Sequence, residues 1–75
     1  MSLVSRVNLI GVISPVCLLE CKKAIKELKS GEQVIFLLDD TVVANDLITI
    51  IERSKDRIVD VDKKADHCQI AIQKG

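Results

Sequence analysis

The sequence predicts an α+β domain, a two-layer α/β sandwich in the order βαβαββ, on three observations. Short stretches whose apolar residues alternate with period two, such as Gln33–Leu38 and Cys68–Gln73, are separated by longer ones with helical spacing, such as Leu18–Leu28. Glycines and small polar residues mark the switches, at Gly11, at Ser30-Gly31 and at Asp39-Asp40. The chain has 75 residues, which is enough for one domain with a single core, so residues 1–75 are read as one unit.

The elements follow in order. Strand one is expected from Val4 to Ile10, ending in the Gly11 turn. Ser14 then suits a helix N-cap, because its hydroxyl can accept from a first-turn amide, and Pro15 suits the first helical position, where a missing N–H costs nothing. Helix one is expected over Pro15–Lys29, with Cys21, Ile25 and Leu28 on its core-facing stripe and Ser30-Gly31 as its closing turn. Strand two, Gln33 to Leu38, should send Val34, Phe36 and Leu38 toward the helices. Ile35 and Leu37 are left on the open face of the sheet, with Ile10 on the same side. Asp40 can cap helix two, Thr41 to Ser54, where its carboxylate meets the positive end of the helix dipole. Strand three, Arg57 to Asp62, is read with Val59 and Val61 inward and Ile58, Asp60 and Asp62 outward. Lys63-Lys64-Ala65-Asp66 forms the hairpin loop to a last strand that turns Cys68, Ile70 and Ile72 inward.

Composition narrows the function classes. Eleven basic and eleven acidic residues cancel, and Phe36 is the only aromatic residue. Direct nucleic-acid binding is disfavoured, since there is neither an electrostatic footprint for phosphates nor a platform for stacking bases. No apolar run is long enough to span a bilayer, so no membrane role is expected. Three cysteines without a signal peptide fit a reducing cytoplasm. Cys17, Cys21, His67 and Cys68 could be imagined around a metal, but neighbouring residues in a strand point to opposite faces. His67 and Cys68 therefore cannot both join a helix-borne pair, and no metal site and no cofactor are assigned. A Ser14 nucleophile served by His67 lacks a residue to orient the histidine.

Gly11, Pro15, the helix through Lys23 and Leu28, Gly31-Glu32, Asp39-Asp40, Asp46 and the closing Ile70-Ala71-Ile72-Gln73-Lys74-Gly75 together resemble the TusA/SirA family of small sulfur carriers. The resemblance runs from about Val7 to Gly75 and implies two helices packed on one face of a four-stranded mixed sheet. It also implies a Cys-Pro-x-Pro motif at the start of the first helix, whose cysteine receives a sulfane sulfur as a persulfide and hands it to a partner protein. Three positions depart from the family pattern: Ser14 at the carrier cysteine, Cys17 at the second proline, and Thr41 where a proline usually follows the acidic pair.

A serine hydroxyl cannot carry that sulfur, which leaves two readings. In the first, the chain is a sulfur-relay protein in which Cys17, placed in the first helical turn where the dipole favours a thiolate, takes over persulfide carriage. In the second, it is a non-catalytic binding or regulatory module that keeps the fold and docks on a sulfur-transfer or redox partner. Whether it is an enzyme stays open between them. Cys17 can equally be a small apolar filler beneath the helix. Lys22, Lys23 and Lys26, with Lys29, form a basic helix face that could meet an acidic partner, or a merely solvated face. Ile35 and Leu37 on an uncovered sheet face suggest a homodimer or a docked protein partner, unless neighbouring polar stems cover them. A thiocarboxylate at Gly75 is disfavoured, because carriers of that kind end in paired glycines.

Overall fold

The computed structural model describes residues 4–13 and 15–75. Ser14, and with it the expected serine cap, lies outside the described residues. The elements are β1 (Val4–Asn8), α1 (Val16–Lys26), β2 (Gln33–Leu38), α2 (Thr41–Glu52), β3 (Arg57–Lys63) and β4 (Cys68–Gln73), in the expected order. They form a four-stranded sheet in the order β1-β2-β4-β3. The β1–β2 pair is parallel, as a strand–helix–strand crossover allows, and the other two pairs are antiparallel. Both helices pack on one face.

One core lies between the layers. Val34, Phe36 and Leu38 of β2 and Cys68, Ile70 and Ile72 of β4 supply its floor, the two central strands alternating buried and half-buried residues along their whole length. Cys17, Cys21 and Ile25 of α1 and Ala44, Leu47 and Ile51 of α2 supply its roof. In each helix the buried residues recur at three- or four-residue intervals, which places them on one stripe.

Several boundaries and one register differ from the sequence reading, each for a local reason. β1 stops at Asn8 instead of Ile10, because the Asn8 side chain accepts from the Ile10 amide (3.0 Å) and Gly11 turns the chain at φ +88°. Ile10 therefore stands exposed in the turn and is not part of the open sheet face with Ile35 and Leu37. Pro15 is the cap residue of α1 and not its first helical residue. α1 ends at Lys26, three residues early: Leu28 donates to the Ile25 carbonyl (3.1 Å), tightening the last turn, and the Lys29 amide turns to the Glu32 carboxylate (2.6 Å). Gly31 follows at φ +90°, a conformation that glycine adopts without steric cost. α2 ends at Glu52, where Arg53 and Ser54 donate back to Ile50 and Ile51.

The register difference lies in β3, where the alternation predicts Val59 inward and Ile58 outward. Ile58 pairs with Ile72 and Asp60 with Ala71, so two successive pairs on β4 span three residues of β3 and Val59 is the extra residue of a β-bulge. Ile58 consequently packs against the core while Val59 is exposed. Val61 pairs with the buried Ile70 and so keeps the expected side, though at this edge it remains partly open to solvent. Lys63 belongs to the strand and not to the loop, and its amine donates to Asn45 of α2 (3.1 Å).

Candidate functional site at the two helix N-termini

Because β1 and β2 run parallel, both end at the same edge of the sheet, and each hands the chain to a helix there. The N-termini of α1 and α2 therefore lie at one end of the molecule. The loop between β1 and α1 is anchored from inside by Leu9, which is buried and donates to the Leu37 carbonyl (2.9 Å), extending the parallel pairing beyond the strand. Val12 closes the turn by donating to the Leu9 carbonyl (3.1 Å).

The acidic pair holds this end together, with a different task for each residue. Asp40 is the N-cap of α2, as its sequence position predicts, and its carboxylate accepts from the Val43 amide (2.9 Å). Asp39 reaches across to accept from the Gly11 amide (2.7 Å), tying the β1–α1 loop to the β2–α2 loop. Sequence reasoning missed that role. The partners are 28 residues apart, and only the parallel pairing of β1 with β2 makes them neighbours.

Cys17 lies in the first turn of α1 but is only 1% exposed, against the core and one turn before the fully buried Cys21. Burial pushes the Cys17 thiol above its ordinary pKa; hydrogen bonding with Cys21 offsets part of this, and the nearby Asp39 and Asp40 charges add to the rise. The expectation that the helix start would favour a Cys17 thiolate therefore fails: the dipole acts at short range, and desolvation together with two carboxylates opposes it. Cys21 is pushed up to about 12, again chiefly by burial. Cys68 is buried at the same end of the sheet, paired with Leu38 at the close of β2, and its burial is as its alternation predicts. His67 is half-buried in the hairpin loop with its Nδ1 2.7 Å from the Asp66 carboxylate, a contact that lowers the Asp66 pKa.

What this end presents outward is apolar. Ile10, Ile13 (76% exposed), Val16 and Leu19 (61% exposed) surround the start of α1, and Val42 is exposed on the first turn of α2. Pro15 is exposed among them. Sequence reasoning missed this collar, although its signal was legible: Val16 and Leu19 are spaced three apart on the helix side opposite the Cys17–Cys21–Ile25 stripe.

The residues proposed for partner contact do not converge. Lys22 and Lys26 border a shallow depression of about 220 Å³ with Ile25, Ile50 and Lys74, over the second half of α1. Lys23 lies on another flank, beside Glu20, Glu27 and Val7. Ile35 and Leu37 are half-buried on the far face of the sheet, behind both helices. The basic stripe is therefore interrupted by acidic neighbours, and the apolar pair belongs to a separate surface.

The molecule is a small α+β domain whose first strand–helix loop is tied to its second, with exposed apolar residues around both helix starts. The family profile described as Sulfurtransferase TusA matches residues 5–74, and the chain belongs to that family. Its fold is similar to that of a SirA-like protein from Desulfitobacterium hafniense, with a TM-score of 0.74, 21% sequence identity, and 97% of this chain and 99% of that chain covered. No curated protein matches the chain. Among the described residues no helix is long and apolar enough to cross a membrane.

Proposed function

We propose that this chain acts as a docking or regulatory member of its family, contacting a protein partner of sulfur-transfer or redox chemistry through the end that carries both helix N-termini, without carrying persulfide on Cys17. The observation that carries this reading is the burial of Cys17. A relay thiol has to meet a donor and then an acceptor as a thiolate, whereas this sulfur is enclosed, and its pKa is raised. On the family resemblance Ser14 stands at the carrier position, and its hydroxyl cannot hold a sulfane sulfur. The apolar collar supports the docking part, since exposed aliphatic residues grouped around one end of so small a domain are suited to burial against a partner.

Native-state alkylation tests the inertness of the thiol. With the chain folded at neutral pH, Cys17 should react with iodoacetamide at least about a hundredfold more slowly than in the urea-unfolded chain, since reaction requires the thiolate and access to it. Labelling at comparable rates in the two states, mapped to Cys17, would show an accessible thiol and return the relay reading.

A further inference from the structure

Among the described residues no further layer covers the face of the sheet away from the helices, and the residues of that face fall into cross-strand rows fixed by the register. Arg6 pairs with Ile35, Ile35 with Ala71, and Ala71 with Asp60, so one row reads Arg6-Ile35-Ala71-Asp60 from edge to edge. The next reads Asn8-Leu37-Gln69-Asp62. The face thus has an apolar centre and Arg6 on the β1 edge, while the β3 edge carries Asp60 and Asp62, with Arg57 one row further along in the row Val4-Gln33-Gln73-Arg57. Asp62 has a nearby cation, Lys64 at 3.8 Å, whereas Arg6 and Asp60 make no ion pair among the described residues, and both are exposed.

We propose that this face is the interface of a homodimer whose two-fold axis runs parallel to the strands, with Arg6 of each copy against Asp60 of the other. Charge placement selects both the occupant and the axis. A two-fold parallel to the strands, lying between two facing sheets, puts β1 of one copy over β3 of the other and keeps each residue at its own height. Arg6 then meets Asp60 twice, by symmetry, while Ile35 of each copy covers Ala71 of the other. A two-fold across the strands through the same row would instead stack β1 on β1, Arg6 on Arg6 and Asp60 on Asp60. It would bring Arg57 over Asp62, but Asp62 already has Lys64 beside it, so the two like-charge contacts disfavour this arrangement. The selected arrangement is an isologous contact between aligned sheets, a packing that twisted sheets adopt readily. The helix layer and its apolar collar stay free on the outside of the dimer, so this inference does not depend on the docking reading.

The face measures roughly 19 by 20 Å, from four strands about 4.8 Å apart and six residues at about 3.3 Å each. Two copies would bury on the order of 1,000 Å² in total, at the lower end for a specific interface, so a weak dimer is expected. Sedimentation equilibrium at chain concentrations up to about 1 mM provides the test. The unmodified chain should dimerise, less so at high salt. Arg6→Glu and Asp60→Arg should each weaken dimerisation at least about tenfold while leaving the circular dichroism spectrum unchanged, because both side chains are exposed. Mixing the two variants should restore dimers: the glutamate introduced in the first then faces the arginine introduced in the second, and the second variant's own Arg6 faces the first variant's own Asp60. A monomer at every concentration, single reversals without effect, or a mixture that stays monomeric would each overturn the proposal.

Discussion

Phe36→Ala should lower the unfolding free energy by about 3–5 kcal/mol, read from urea denaturation followed by circular dichroism. Phe36 is the largest side chain in the core and has no exposed surface. It stands at the middle of a central strand, between Val7 on one side and Ile70 on the other, with both helices above it. Truncation removes its apolar burial and leaves a void that the sheet cannot collapse to fill, because its neighbours are held by ladder bonds on both sides. A domain of this length is expected to have on the order of 4–11 kcal/mol in all, so the variant should lose a large share of its stability and unfold at a markedly lower temperature. A loss below about 1 kcal/mol would mean that the core is not organised around this residue.

The second large effect appears at alkaline pH. The folded chain holds the Cys21 proton more tightly than an ordinary thiol does, its pKa being pushed from 9.0 to about 12. Below pH 9 the thiol is neutral in both the folded and the unfolded chain, and this residue leaves stability intact. Above it the unfolded chain releases the proton while the folded chain keeps it, so stability falls by about 1.4 kcal/mol per pH unit until the folded pKa is reached. The cumulative loss is on the order of 4 kcal/mol. Cys21→Ala should remove most of that slope between pH 9 and pH 12, as measured by urea denaturation at a series of pH values. Cys17, whose pKa is also raised, should retain a smaller share. An equal slope in the variant would show that the Cys21 sulfur is not enclosed as described.

How far the fold was legible depended on whether a local pattern was interrupted. The faces of β2 and β4 were readable, since six positions of unbroken alternation leave one assignment, although His67, expected in the last strand, lies in the hairpin loop before it. The Asp40 cap was readable because cap and amide are three residues apart. β3 was not: a bulge inserts one residue, and a period of two then inverts on one side of it, which exchanged the roles of Ile58 and Val59. At the candidate site the position of Cys17 was present in the sequence as the next step of the four-residue stripe through Cys21 and Ile25. The prospect of a helix-activated thiol kept that plain geometric reading open as an alternative. The Asp39–Gly11 tie could not be read locally, because it exists only once two parallel strands bring their ends together.

Burial of Cys17 connects these points to function, and it separates a sulfur carrier from a docking module. Intact-mass spectrometry with peptide mapping, after exposure of the folded chain and of a Ser14→Cys variant to a sulfane sulfur donor, tests that claim most directly. The account predicts that the unmodified chain gains no sulfur and that the variant gains one sulfur atom at residue 14. Sulfur found on Cys17 of the folded, unmodified chain would contradict it.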